Sequence, residues 1–347
     1  MTLTIDKMTA SGSRVFTGYN ENRVRMGFEG FADHIGDSGT VTTLKDITLL
    51  QPERIGKGMF VGGVYARGAR VGSCDLQRGF GEGRVRHTSG PKMLGETPVL
   101  QHLQEAWFGG YVFNHFGHFT IEGLSRSISP EVQSSDLPIA IFNMARIETL
   151  KPYMAEAFIQ FGIDPGRVQL INRNTHVAKV HITESALEIR GTVRPARYIE
   201  ARQKRPPSDR SGIVYLSRSK LTNRRRIEGE ANFENRLAQA FGVTVIHPQD
   251  HSFVEQLEIF RTASCIVACE GSALHNVIFD GNLPTIVSLS HSFPSLNYFL
   301  CDELVDGSSH YVHAAQKSLS ADRNAWAIDE DRTFGHVADI FKSEGLL

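Results

Sequence analysis

One apolar run and the turn after it constrain this chain most. Ser264-Cys-Ile-Val-Ala-Cys269 is short, β-branched and apolar throughout. Glu270-Gly-Ser breaks the run, and Ala273 to Phe279 then takes up helical spacing. Such a run predicts a strand buried on both faces of a parallel sheet. Small residues between a buried strand and a helix let main-chain N–H groups come close to a ligand. The helix start adds partial positive charge, so the turn suits a phosphate or diphosphate. The alternative is a tight strand-to-helix turn with no ligand.

The surrounding text repeats the strand–helix alternation. Ile213–Ser217, Val243–His247 and Thr285–Leu289 read as strands, and Glu228–Phe241 and Ser252–Thr262 as helices. This is the pattern of a doubly wound domain. Lys204-Arg-Pro-Pro-Ser-Asp-Arg-Ser-Gly212 reads as the linker before it. Upstream, Leu137–Phe142, Arg167–Ile171 and Val177–Ile182 read as strands around a helix at Glu148–Phe161. Val41–Leu50, Met59–Tyr65 and Ala69–Cys74 predict a small antiparallel β unit. Gln77–Pro91 reads as a loop, helical signals begin near Pro98, and residues 1–40 carry weak signals and are expected to fray. The expected domains are 1–203, 204–328, and a C-terminal helix, 329–347, returning to the first domain.

The 347 residues suit about two domains. A formal net charge of -1 gives no global basic field, so nucleic acid is not an expected partner. The four cysteines form no CxxC pair, which argues for core thiols in a reducing compartment. The first residues lack the apolar stretch of a signal peptide, and no run of about 18 apolar residues predicts a membrane span. The expectation is a soluble cytoplasmic protein, with peripheral contact at the inner membrane face left open. Oligomeric state is not legible.

Two stretches offer chemistry. Ser217, Arg218, Ser219 and Lys220 follow a predicted strand, and Arg224, Arg225 and Arg226 follow them. Ligands of open α/β sheets bind at the carboxyl ends of strands, and Arg forks match phosphate oxygens. A solvated basic loop is the plain alternative. Glu255 is a candidate acceptor for a sugar hydroxyl, or a solvent-facing helix carboxylate. In the first half, His118, Glu122 and Arg126 fall at i, i+4 and i+8 of a predicted helix over 115–128, on one face. A carboxylate or neutral His can take a proton from a hydroxyl. A surface charge ladder is the alternative. There is no P-loop, GxGxxG, HExxH or GxSxG, and no metal or cofactor is expected.

Four motifs in order resemble glycosyltransferase family 61. They are Gly117-His-Phe-Thr-Ile-Glu-Gly-Leu-Ser-Arg126, Val214-Tyr-Leu-Ser-Arg-Ser-Lys220 with Asn223-Arg-Arg225, Phe253–Phe260, and Glu270-Gly-Ser-Ala-Leu-His-Asn276. The resemblance implies a GT-B-like α/β fold, with two Rossmann-like domains facing a cleft. It implies inverting, metal-independent transfer from a nucleotide-sugar to a glycan or lipid-linked glycan, as in capsular polysaccharide synthesis. Glu122 or His118 would be the base, with His115 and Arg126 on the acceptor side. Ser217, Arg218, Lys220, Arg224, Arg225, Glu255, Glu270, Gly271, Ser272, Ala273 and Asn276 would hold the donor. The sequence departs from the family at Glu270, where a carboxylate replaces the usual His, and at Phe119, where Trp is usual. A non-catalytic sugar- or nucleotide-binding module and a nucleotide-sugar epimerase are the alternative readings.

Overall fold

The structure is a computed structural model that describes residues 2–56, 59–79, 85–86, 98–203, 208–221, 227–316 and 326–347. The chain forms two compact units, one of Met1–Ala32 with Lys204–Leu347 and one of Asp33–Gln203. No helix among the described residues is long and apolar enough to cross a membrane.

The discontinuous unit is built on a sheet of seven described strands. Their order is Thr2–Asp6, Ser13–Thr17, Ser309–His313, Thr285–Ser290, Cys265–Cys269, Ile213–Leu216, Thr244–Ile246. All neighbours are parallel except the first two strands, which form a hairpin. Cys265–Cys269 is buried along its whole length, as its uniform apolarity requires. The chain leaves Ile213–Leu216 for Thr244–Ile246 on one side, then crosses to Cys265–Cys269 on the other. The order therefore reverses at Ile213–Leu216. Outside the carboxyl ends of such a pair lies the crevice where open sheets bind ligands.

The central unit also has a sheet of seven described strands. The order is Val168–Ile171, Ile139–Asn143, Gln101–Val112, Thr175–Thr183, Val41–Gly56, Met59–Ala66, Ala69–Arg70. The first four run parallel and the last three continue as an antiparallel meander. Here the order reverses between Gln101–Val112 and Thr175–Thr183.

Several expectations are corrected. The first 32 residues are no frayed lead of a 1–203 domain. They form the edge hairpin and the helix Glu21–Phe28 of the other unit. Arg14, fully buried, ties that hairpin down through Asp302 and Glu303. The β unit over 41–74 is not separate, because Val41–Gly56 pairs with Thr175–Thr183. The helical signal near Pro98 gives way to the strand Gln101–Val112. Its first half alternates in exposure and its second half, including Phe108, Tyr111 and Val112, is buried throughout. A Cβ at Gly109 would lie 2.5 Å from Ile141, and Gly110 has φ +89 beside a bulge, so neither position takes another residue without strain. The C-terminal helix Glu330–Ser343 buries Val337, Ile340 and Phe341 in the core of its own unit instead of returning to the first domain.

Candidate functional site

The first candidate site lies at the crevice of the discontinuous unit. Leu216 ends its strand, and Ser217 follows with its hydroxyl accepting the Ser219 amide at 3.0 Å. Two carboxylates from the helix Glu230–Phe241 shape this loop from below. Glu230 accepts the Arg218 amide at 3.0 Å and the Tyr215 hydroxyl at 3.1 Å, and Glu234 accepts the Ser219 hydroxyl at 2.9 Å. Burial raises the Glu230 carboxyl above its ordinary value. Glu230 and Glu234 escaped the sequence reading, although their i, i+4 spacing on the helix after a basic loop was a signal.

The loop delivers Arg218 to the neighbouring strand end. Its Nη1 donates to the Glu270 carbonyl at 2.6 Å. The position a Cβ would take at Gly271 is 3.7 Å from Arg218 Nη1. Arg218, Glu270 and Gly271 are thus brought together. Gly271 is extended, at φ -171, and a Cβ there would make only ordinary contacts. Nothing among the described residues requires glycine there.

After Gly271 the chain enters a 3-10 helix, Ser272–Phe279, in place of the expected α-helix. Ser272 and Ala273 are half-buried, and the first amides of a helix have no partner within it. The Tyr298 hydroxyl donates to the Gly271 carbonyl at 3.3 Å from the helix Leu296–Asp302. The Glu270 side chain accepts the Ser295 amide, while its Oε1 is buried with no partner among the described residues. Burial, opposed by the Ser295 amide and by Arg218, pushes this carboxyl up to about 8.

Other expected donor residues lie elsewhere or do other work. Lys220 is exposed and paired with Asp250 at 3.0 Å. Glu255 caps its own helix, accepting the Ser252 amide at 2.7 Å while the Ser252 hydroxyl accepts the Glu255 amide, so no sugar-binding role is needed to explain it. Asn276 is buried and its amide donates to Gln256 at 3.3 Å, bracing the turn against the helix Phe253–Thr262. Arg224 and Arg225 fall outside the described residues.

The second candidate site belongs to the central unit. The expected helix over 115–128 is a short α turn, Phe116–His118, that widens into a π turn, Phe119–Gly123. The Leu124 amide reaches back to the Phe119 carbonyl at 3.0 Å. A π turn re-aims the side chains it carries, and such turns gather at functional sites. Both Glu122 oxygens are engaged. Arg78 Nε donates to Oε1 at 2.6 Å, Arg78 Nη2 donates to Oε2 at 2.7 Å, and His118 Nδ1 lies 2.9 Å from Oε2. The Glu122 side chain is 4% exposed and that of His118 36%.

Arg78 was missed because it sits in the Gly- and Arg-rich stretch read as a loop. Arg126, expected on the same helical face, makes no ion pair with Glu122 among the described residues, because the helix ends before it. Its Nη1 donates to the Thr183 carbonyl at 2.7 Å and its Nη2 to the Ser73 carbonyl at 2.6 Å. His115 is exposed and accepts the His118 amide through Nδ1. Glu122 and Arg126, with Gly110, Ser185 and Glu188, line a recess at the carboxyl ends of Gln101–Val112 and Thr175–Thr183. Among the described residues no group of three His, Cys, Asp or Glu side chains is placed to hold a metal.

An α/β protein with an arginine at a sheet's switch point is built to bind a small ligand carrying an anionic group. A family model described as Glycosyltransferase 61 matches residues 116–287, and over that span the chain belongs to this family. The span includes Arg218, Glu270 and Gly271 of the first candidate site and His118 and Glu122 of the second, but not Arg78. A protein of this class binds a sugar donor and an acceptor. Comparison with curated proteins returned no match.

Proposed function

We propose that this protein is an inverting glycosyltransferase, moving a sugar from a nucleotide-sugar to a glycan acceptor of the surface-polysaccharide kind. The observation that carries the reading is the meeting of Arg218 and Gly271 at the switch point. Arg218 and the amides of Ser272 and Ala273 would hold the diphosphate and stabilise it as it leaves, without a metal. The reading takes over the GT-B-like fold that the family resemblance implies.

Within the central unit, His118 is the base and Glu122 positions it. His118 Nδ1 lies 2.9 Å from Glu122 Oε2 and 3.1 Å from Arg78 Nη2, and we assign its proton to the shorter contact, as donor to the carboxylate. Nε2 then keeps its lone pair, on the more exposed of the two side chains. The acceptor hydroxyl gives its proton to Nε2, and its oxygen attacks the anomeric carbon. The bond from that carbon to the diphosphate breaks, and the electron pair leaves with the diphosphate.

A panel of nucleotide-sugars tested by thermal shift identifies the donor, since a ligand of the folded state raises the melting temperature. Transfer assays with that donor should show His118→Gln losing turnover with donor affinity kept, and Arg218→Ala losing donor affinity. Donor binding without transfer or hydrolysis across acceptors would instead favour a binding module, a reading that the carboxyl of Glu270 in the crevice motivates.

A further inference from the structure

The Glu270 side chain is unexplained by the donor site as drawn so far. The main-chain carbonyl of Glu270 accepts Arg218 Nη1 where we place a diphosphate, and an ionised carboxylate on the same residue would repel that ligand. The groups around it come from four elements. Arg218 lies on the loop after Ile213–Leu216, Cys269 precedes Glu270 in its own strand, Tyr298 lies on the helix Leu296–Asp302, and Tyr19 follows the edge hairpin. Of these only Arg218 is a cation, and its Nη1 is turned to the Glu270 carbonyl, not to the carboxyl. One carboxyl oxygen takes the Ser295 amide and Oε1 is left buried without a partner among the described residues. A buried polar atom left so costs about 1–3 kcal/mol, which a ligand atom can relieve.

We propose that Glu270 binds the donor as a neutral carboxylic acid, its O–H donating to an oxygen of the diphosphate. This rests on the donor-site reading above and adds a proton-dependent hydrogen bond to it. Burial favours the same state, since it holds the carboxyl up near 8. A bound anion favours it further.

The test is calorimetric titration of inorganic pyrophosphate into the full-length protein and its Glu270→Gln and Glu270→Ala variants, from pH 6.5 to 9. The ionisation of pyrophosphate is common to all three and cancels in the ratios of Kd. A Gln amide donates at every pH. The wild type should therefore match Glu270→Gln within about twofold at pH 6.5 and bind about tenfold more weakly at pH 9. Glu270→Ala should be weaker than both at pH 6.5, with a pH-independent ratio to Glu270→Gln. Parallel wild-type and Gln profiles, or an Ala variant equal to Gln at pH 6.5, would overturn the proposal and leave the donor site standing. No pyrophosphate binding by any of the three at any pH would remove the donor site and this inference together.

Discussion

Replacing Arg14 with Met tests how the discontinuous unit is held together. Arg14 is fully buried in the edge hairpin. Its Nε donates to Asp302 at 3.0 Å, and its Nη2 to Glu303 at 2.6 Å and to the Phe299 carbonyl at 2.8 Å. Its guanidinium lies over the Phe28 and Phe31 rings. Methionine fills similar space but strands two buried carboxylates. Breaking a buried ion pair from one side costs about 3–5 kcal/mol, and two pairs sharing one cation do not add in full. We expect about 4 kcal/mol, or a fall of roughly 2 M in urea midpoint for a slope near 2 kcal/mol/M. Far-UV circular dichroism at pH 7 should show this in one of two transitions, since the two units need not unfold together.

The pH dependence sharpens the test. Burial would raise the Glu303 carboxyl, but Arg14 and the groups of Thr9 and Met8 bring it below its ordinary value. A depressed carboxyl stabilises above its unfolded value, and that stability is lost as pH falls through the folded value. The gap between wild type and Arg14→Met should thus shrink below about pH 4, and Glu303→Gln on the Met background should recover part of the loss. A midpoint shift under about 0.5 M at pH 7, or a gap unchanged at pH 3.5, would refute the reasoning.

Three further outcomes are expected. His118→Gln should lower kcat by about 10²–10⁴ with donor Kd unchanged. Arg78→Met should lower kcat through misplacement of Glu122 and His118, and Arg78→Lys should restore part of it; equal activity in all three proteins would remove the positioning role. Glu270→Gln should be more heat-stable than wild type at pH 8.5 and similar at pH 4.5. The raised carboxyl is protonated in the folded state at low pH, and stability falls as pH rises from its unfolded value toward about 8.

Much of this architecture is legible in the chain. The run Cys265–Cys269 announces its buried strand, because only a strand with both faces covered is apolar at every position. The strand–helix alternation after Gly212 is local, and so were the loop after Leu216 and the turn at Glu270. The helix boundary after Ser252 follows from a capping box that any reader can find, and that same box uses the Glu255 carboxylate locally. The strand Gln101–Val112 was hidden because its pattern changes midway, from alternating exposure to burial at every position, so no single period identifies it.

Partners distant in sequence were not legible. Arg78 meets Glu122 across 44 positions, and Arg14 meets Glu303 across 289. No local periodicity encodes either pair. The sequence by itself determined the strand–helix alternation after Gly212 and which strand ends there carry cations, because those depend on side-chain spacing within a few residues. Only the tertiary structure decided that the N-terminal hairpin belongs with the C-terminal sheet, that Arg78 stands where Arg126 was expected, and that His118 is the more open of the two candidate bases. These are outcomes of long-range packing, where burial and charge pairing select among partners that the local chain leaves equivalent.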